Sequence, residues 1–205
     1  MANSKGNILV ASYSRDGSVE ALAKAVAEGA REAGAEAQLC RVPDIVPPAV
    51  MAHVPGWEDR SKRMVAEYGA PTQADTEWAD GIMFGTPTRF GNTSAELKAF
   101  IDGLGSLWFQ DKLNGKAAGP LHRREDRTAG MRRRCSLFAS RWRIWGSSCT
   151  ERLHRPEAFP GYGTPYGSSS VSGQNSAPPT ADELEVAKHQ GERITQGAAV
   201  LKAAP

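Results

Sequence analysis

Two parts of the chain join a short apolar run to an amphipathic helix through a turn rich in hydroxyl and glycine residues. The first apolar run covers residues 7–13 and leads into a helix that Ser18 can cap. The second covers residues 81–85 and leads into a helix that Thr93 or Ser94 can cap. Buried strands that alternate with helices form parallel sheets with helices on both faces. The sequence therefore predicts an α/β fold built on a parallel sheet.

Further elements are predicted between these two segments. Apolar and polar side chains alternate weakly over residues 37–42, which is compatible with a second strand. The four prolines within residues 43–55 are expected to block regular structure. Residues 58–68 can form a helix with Met64 and Val65 facing inward. A long connection is therefore expected before the next strand.

The carboxyl-terminal part is predicted to be a loop followed by a helix. Residues 161–173 are rich in glycine and serine, which favours a loop. Apolar side chains recur at the helical period over residues 180–203, which predicts a helix. Thr180 and Glu183 can form a capping box at its start.

Residues 118–160 do not show the strands that a parallel α/β protein needs in this part of the chain. Only residues 135–139 and 142–145 are apolar enough to serve as strands. Residues 121–155 contain ten of the seventeen arginines, no lysine and three carboxylates, so they carry +7 while the rest of the chain carries −5. The net positive charge of the protein therefore comes from this one segment.

The arginine-rich segment allows two interpretations. Arginines interleaved with Trp142 and Trp145 could bind nucleic acid through phosphates and stacked bases. The loss of lysine and of the expected strands instead favours the hypothesis that residues from about 119 to about 160 are read in the wrong frame. Nucleic-acid binding is accordingly not expected.

Length and composition indicate a single globular domain over residues 1–205. The chain is 40% hydrophobic and 23% charged, which is enough apolar material for a full core. No run approaches the ~20 apolar residues of a membrane-spanning helix. Its three cysteines are widely spaced, so neither a disulfide framework nor a metal site is indicated. We expect a cytoplasmic protein with reduced thiols.

The turn after the first predicted strand has the composition of a phosphate site. It lies where a helix begins, so unpaired N–H groups and the helix dipole favour an anion there. It is neither a Walker loop nor a GxGxxG turn, so a monophosphate such as that of FMN suits it best. An ordinary turn with a serine cap would have a similar sequence. The candidate residues are Ser14, Arg15, Asp16, Gly17, Ser18 and Val19.

A second candidate loop follows the strand at residues 81–85. It falls at the carboxyl end of that strand, where open parallel sheets bind ligands, so both loops are expected at one sheet edge. Arg89 could face the electron-rich N1/C2 side of a flavin and Phe90 could lie against the ring. The alternative is that the segment is simply good turn chemistry. Its residues are Thr86, Pro87, Thr88, Arg89, Phe90, Gly91 and Asn92.

A third candidate is Trp108, which follows the second predicted helix. Its ring could stack on a flat substrate or cover the flavin. A single tryptophan is more often part of a core or an interface, so both readings stay open on the residues alone.

Several segments together resemble the WrbA-type NAD(P)H:quinone oxidoreductases, once described as Trp-repressor-binding proteins. The most specific are GTPTRFGN at residues 85–92 and GTPYG at residues 163–167, and the likeness covers residues 7 to about 118 and 161–201. It implies a flavodoxin-like fold, a doubly wound parallel five-stranded sheet in three αβα layers. It also implies FMN as cofactor, NADH or NADPH as co-substrate, a quinone as acceptor and a homotetramer.

The resemblance also assigns roles to the candidate residues. It places the six residues of the first loop on the FMN phosphate and on nearby nicotinamide contacts. Thr88, Arg89 and Phe90 are assigned to the isoalloxazine ring, and Trp108 to the quinone or nicotinamide face. The reaction it implies is two-electron transfer through flavin N5, with no catalytic acid or base assigned. A single-electron carrier like flavodoxin, or a repressor or nucleic-acid accessory protein, is the alternative.

Residues from about 119 to about 160 depart from this family. The family has a flavin loop rich in Ser, Thr and Gly after its fourth strand, and this chain has arginine-rich sequence there. We therefore expect the third flavin loop and a central strand to be missing, which would weaken the fold because buried arginines are costly.

Overall fold

The computed structural model describes residues 6–124, 148–149, 167–171, 173 and 177–203. Its strands are β1 Asn7–Ser12, β2 Glu36–Arg41, β3 Gly81–Pro87, β4 Ala117–Arg124, β5 Ser148–Cys149 and β6 Ser169–Val171. Its helices are α1 Ser18–Glu32, α2 Pro48–Met51, α3 Trp57–Tyr68, α4 Gln73–Trp78, α5 Ala95–Asp102, α6 Gly105–Phe109 and α7 Ala181–Ala203. Within these ranges, no helix has both the length and the hydropathy needed to cross a bilayer.

All strand pairs of the sheet are parallel, in the order β2-β1-β3-β4-β5. The short strands β5 and β6 pair with opposite ends of β4, whose other edge is covered by β3, so both occupy the fifth position of the sheet. The chain leaves β1 toward β2 and then crosses to β3. The switch point of this open sheet therefore lies between β1 and β3, and ligands bind at such points outside the carboxyl ends of strands.

Helices cover both faces of the sheet and make three αβα layers. Alternate residues of β1 point to opposite faces, so Val10 packs with α1 and α7 while Leu9 packs on the side of α5. Each face has its own buried apolar cluster. The predicted flavodoxin-like fold, a doubly wound parallel sheet with five strand positions, is confirmed.

Helices α1 and α7 pack with their backbones almost in contact. A Cβ atom added to Gly29 would lie 1.9 Å from the carbonyl oxygen of Lys188, and one added to Gly191 would lie 2.0 Å from that of Val26. Only glycine allows this approach, which fixes α1 and the turn before it against the sheet.

The fourth strand corrects the sequence analysis. The structure forms it from Ala117–Arg124, whereas the expected strands at residues 135–139 and 142–145 lie outside the described residues. Pro120 lies opposite Phe84 of β3, and its carbonyl oxygen accepts a hydrogen bond from Gln190 Nε2 at 2.9 Å. The expectation that the central strand is missing is therefore wrong. The small residues and the proline of β4 do not show a strand pattern in the sequence, and the strand forms through its pairing with β3.

Three smaller expectations also need correction. Met64 is buried as predicted, but Val65 is 41% exposed rather than inward. Regular structure is not wholly blocked among the prolines, because Pro48 begins the one-turn helix α2, where its missing N–H costs nothing. The strand β6 lies within the predicted glycine and serine loop.

The predicted helix caps differ in outcome. Ser94 accepts from the N–H of Leu97 and caps α5, and Thr180 and Glu183 form the predicted reciprocal capping box of α7. Ser18 is instead the first residue of α1, and the cap position belongs to Gly17.

Candidate active site

Residues 14–19, here called the phosphate loop, connect β1 to α1 and are shaped by their own side chains. Gly17 adopts φ +96°, in the left-handed region that favours glycine, and turns the chain into the helix. Ser14 Oγ accepts from the Gly17 N–H at 3.1 Å, and Asp16 Oδ1 accepts from the Ser18 N–H at 3.1 Å. The loop is thus already folded around the start of α1.

The donors of the phosphate loop suit an anion. The buried hydroxyl of Ser14 accepts one hydrogen bond and still has its own proton to donate. Val19 is fully buried in the core, so its side chain supports the loop from beneath while its N–H belongs to the first helical turn. The N–H groups of that turn have no intrahelical partner and lie at the positive end of the helix dipole.

Three arginines raise the positive charge around the phosphate loop. Arg123 pairs with Asp16, with 2.8 Å between Nη1 and Oδ2. Burial, together with the neighbouring charges of Arg15 and Arg123, lowers the pKa of Arg89 against the opposing effect of nearby acidic groups. An anion bound beside these arginines would offset their mutual repulsion.

Residues 86–92, here called the β3 loop, meet the phosphate loop through Arg123. The Thr88 N–H donates to the backbone carbonyl of Arg123 at 2.9 Å, and the side chain of the same arginine reaches Asp16. Thr86 Oγ1 donates to the carbonyl of Pro87 and accepts from the Ser94 N–H, so this hydroxyl is used inside the loop. The two loops predicted to share one sheet edge are therefore joined there.

The tip of the β3 loop is a tight hairpin turn. Arg89 and Asn92 exchange backbone hydrogen bonds of 3.0 and 2.8 Å, and the two residues between them have positive φ values, 47° for Phe90 and 80° for Gly91. That pattern corresponds to a type I′ turn. The Phe90 ring is fully exposed, so an aromatic ring is held at the tip by a conformation that phenylalanine rarely adopts.

Trp108 lies in a separate part of the chain. It belongs to α6, which is anchored through Leu107 in a small cluster with Leu104 and Leu113, and its own side chain is 46% exposed. Trp108 is thus not a core residue. Among the described residues, no hydrogen bond joins its side chain to the phosphate loop or to the β3 loop.

Arg123 is the residue of the candidate site that the sequence analysis missed. Arg123 belongs to the segment discounted as read in the wrong frame, yet it lies opposite Pro87 at the carboxyl end of β4. The buried hydroxyls of Ser168 and Ser170 have no hydrogen-bond partner among the described residues. No local sequence signal identified Arg123, because its place at the carboxyl end of β4 follows from the pairing of that strand with β3.

Comparisons with known proteins agree with this geometry. Residues 6–142 match the family model of NADPH-dependent FMN reductases. A protein of Cupriavidus metallidurans named NAD(P)H dehydrogenase (quinone) is 38% identical over 93% of this chain and 96% of its own length. One of the same name from Geobacter sulfurreducens is 35% identical over 95% of this chain and 98% of its own. The chain belongs to the WrbA-type NAD(P)H:quinone oxidoreductase family. As a member of this family it is an oxidoreductase.

Solved structures support the fold assigned to this family. A flavodoxin-type, WrbA-like protein from Agrobacterium tumefaciens superposes with a TM-score of 0.64 at 24% identity, covering 94% of this chain and 97% of its own. An archaeal flavodoxin gives a TM-score of 0.60 at 15% identity, covering 94% and 98%. At these identities the likeness concerns the fold alone.

FMN is the cofactor of this family, with NAD(P)H as electron donor, and the described residues fit FMN. Its phosphate is a small anion. Such an anion is suited by the buried Ser14 and Ser18, by the start of α1 and by the positive charge of the nearby arginines. The segment after β4, where the family's third flavin loop is expected, lies outside the described residues.

Proposed function

We propose that this chain catalyses the two-electron reduction of quinones by NAD(P)H with FMN as its bound cofactor. The observation that carries this proposal is the phosphate loop, joined to the β3 loop by Arg123 at the switch point of the sheet. When bound, FMN would supply the redox chemistry, namely two-electron transfer through its N5 between NAD(P)H and the quinone. The protein binds, orients and shields the reactants.

The phosphate loop is proposed to hold the FMN phosphate. Backbone N–H groups of the first turn of α1 and the hydroxyls of Ser14 and Ser18 are the donors. Arg15 supplies counter-charge, and Arg123 neutralises Asp16, whose carboxylate would otherwise repel the phosphate.

The β3 loop and Trp108 are proposed to serve the flat parts of the ligands. The hydroxyl of Thr88 and the guanidinium of Arg89 suit the electron-rich edge of the isoalloxazine ring, while the Thr88 N–H bonds to Arg123 and Gly91 with Asn92 keeps the tip turned. The exposed rings of Phe90 and Trp108 are suited to stack on the flavin and on the quinone or nicotinamide.

Steady-state turnover tests the proposed function directly. Purified protein supplemented with FMN is expected to oxidise NADH or NADPH only when benzoquinone is present, and apoprotein without FMN is expected to be inactive. Turnover that does not depend on FMN would refute the proposal. A single-electron carrier would instead form a stable one-electron-reduced flavin and would not reduce benzoquinone.

The nucleic-acid alternative has a separate test. Residues 125–147 and 150–155 of the arginine-rich segment lie outside the described residues. A DNA mobility shift that depends on salt and persists after deletion of residues 121–155 would favour that alternative. We expect no such shift.

We also propose that the protein is a cytoplasmic homotetramer with one domain over residues 1–205. The exposed apolar side chains Phe90, Trp108 and Phe109 favour association between copies. Light scattering coupled to size-exclusion chromatography is expected to give four times the chain mass of 22.0 kDa. A monomer would refute the tetramer, and fractionation into the membrane or extracellular pool would refute the proposed location.

A further inference from the structure

One buried carboxylate, that of Asp44, collects four hydrogen bonds next to the phosphate loop. Its Oδ1 accepts from Tyr13 Oη and from Trp57 Nε1, each at 2.9 Å. Its Oδ2 accepts from Arg41 Nη2 and from Ser61 Oγ, each at 2.6 Å. The side chain of Asp44 is only 6% exposed, and these four donors occupy its two oxygens.

The donors to Asp44 come from three separate elements. Tyr13 directly follows β1, Arg41 ends β2, and Trp57 and Ser61 belong to the first turns of α3. A single carboxylate thus ties the ends of two strands to a helix that lies outside the sheet. The buried Arg41 gives it a full counter-charge, so the group is paired and not an isolated buried ion.

The same donors also touch the backbone of the phosphate loop. Arg41 Nη2 lies 3.4 Å from the carbonyl oxygen of Ser14, the first residue of the loop. The guanidinium of Arg15 stacks over the Trp57 ring at 5.2 Å, and Arg60 of the same helix donates to the Arg15 carbonyl at 3.2 Å. The first two residues of the loop are therefore held in part by two groups that Asp44 orients, Arg41 and Trp57.

We infer that Asp44 is a positioning residue for the phosphate loop, acting through Arg41 and Trp57 on the backbone of Ser14 and the side chain of Arg15. Its two oxygens accept from protein donors, so it acts through those donors and not on a ligand. Its effect is to keep the loop in the geometry in which the start of α1 and Arg15 meet a phosphate group. The inference rests on the proposed function, since it presumes that the loop holds FMN.

The electrostatics of Asp44 agree with this role. Burial alone would raise its pKa, but the hydrogen bonds from Ser61 and Arg41 and the charge of Arg41 outweigh burial and hold the pKa below its ordinary value. Asp44 is therefore a carboxylate at neutral pH. Asp44→Asn keeps the shape of the side chain but removes the charge and replaces one acceptor oxygen by a donor.

Comparing FMN with riboflavin isolates the phosphate, which only FMN carries. In Asp44→Asn the dissociation constant of FMN is expected to rise about tenfold. The reason is that Arg41, without its carboxylate partner, no longer holds the carbonyl of Ser14 in place. The dissociation constant of riboflavin is expected to stay within about twofold of wild type. With saturating FMN, kcat for benzoquinone should be retained while the FMN concentration at half-maximal activity rises.

The matched control is Asp80→Asn at the opposite edge of the sheet. Asp80 is also a partly buried carboxylate, which accepts from the Asn7 N–H and pairs with Lys202. It should lower stability without changing the ratio of FMN to riboflavin affinity. If Asp44→Asn does not fold, Ser61→Ala removes one donor and is expected to weaken FMN alone by about threefold.

Two results would overturn the inference. An equal loss of FMN and riboflavin affinity in the Asp44 and Ser61 variants would show a general structural role. The same selective loss in Asp80→Asn would show that it is not specific to this position. Wild-type protein that binds no FMN would instead refute the proposed function, and the inference with it.

Discussion

The phosphate loop and the carboxyl end of β4 form one site but are supported very differently. The phosphate loop sits on a helix fixed by glycine contacts to α7 and on the hydrogen bonds centred on Asp44. The end of β4 reaches the loop mainly through one residue, Arg123, which contacts Asp16 and Thr88. Local sequence pattern predicts the first region, whereas the second forms only through the pairing of β4 with β3.

The largest effect is expected from a substitution that disrupts the packing of α1, which supports the phosphate loop. Gly191→Ala places a Cβ against the carbonyl of Val26, and backbone on both sides leaves no side chain to move aside. We expect the free energy of unfolding to fall by about 3 kcal/mol, measured by urea denaturation. Gly105→Ala is the control, because nothing lies within 4 Å of the added Cβ. A fully stable Gly191→Ala would contradict the close packing of α1 and α7.

A second expected effect concerns the hydrogen bonds and the salt bridge that join Glu20 of α1 to α3. Although burial opposes it, hydrogen bonds from Arg63, Tyr68 and Lys24 lower the pKa of Glu20 to about 2 from an ordinary 4.5. Because the folded pKa is depressed, Glu20 stabilises the fold above pH 4.5, and that contribution is lost as the pH falls toward 2.

Urea denaturation at a series of pH values checks this effect. Glu20→Gln is expected to lower the free energy of unfolding by about 2 kcal/mol at pH 7, a figure already reduced for the half-exposed Arg63. The difference from wild type should vanish near pH 2. Glu28→Gln, which removes an exposed carboxylate of the same helix, serves as control. A difference that is independent of pH would contradict the assigned pKa.

A third expected effect tests the β4 region directly. Arg123→Gln leaves Asp16 without its counter-charge and removes positive charge from the phosphate loop. We expect the dissociation constant of FMN to rise about fivefold at low salt and less at high salt. Arg31→Gln, in the last turn of α1, changes the net charge equally but far from the loop. Equal weakening in both variants would mean that overall charge, and not the end of β4, sets the affinity.

The smallest expected effect concerns the tip of the β3 loop. Phe90 has φ +47°, so Phe90→Gly relieves strain and is expected to raise the free energy of unfolding by roughly 0.5 kcal/mol. Both Phe90→Gly and Phe90→Ala remove the ring and should reduce benzoquinone turnover to the same degree. Thermal denaturation and steady-state turnover separate the two effects. Unchanged turnover in both variants would exclude the ring from the site.

Much of the fold could be predicted because its elements carry their own signals. The strand at β1, the turn at Gly17 and the capping box at Thr180 depend on residues close together in the chain. Strand β4 could not be predicted this way, since Pro120 and two alanines have low strand propensity. Its pairing with β3 overrides that propensity, and the role of Arg123 follows from the pairing.

The candidate site shows the same division between local pattern and tertiary pairing. The sequence predicted two candidate loops but not the links between them, because hydrogen bonds such as that from Thr88 to Arg123 connect distant residues. Likewise, no local pattern distinguishes Asp44 from other acidic residues after a strand. Its four partners come together only when β1, β2 and α3 are assembled.

The hypothesis that residues from about 119 to about 160 are read in the wrong frame stays a prediction. Strand β4 ends at Arg124, and most of the segment lies outside the described residues. If the hypothesis holds, peptide mass mapping of active protein will not yield the peptide covering residues 132–141, and the role assigned to Arg123 falls with it. Detection of that peptide would refute the frame hypothesis and would strengthen the role assigned to Arg123.

The central claim is that the phosphate loop binds FMN through its phosphate and that this FMN reduces quinones. Titration of the apoprotein with FMN and with riboflavin, with benzoquinone reduction measured in each mixture, tests it most directly. We predict one FMN per chain, affinity for FMN at least about tenfold above that for riboflavin, and activity in proportion to bound FMN. Equal affinities for the two flavins, or activity unrelated to bound FMN, would contradict the account.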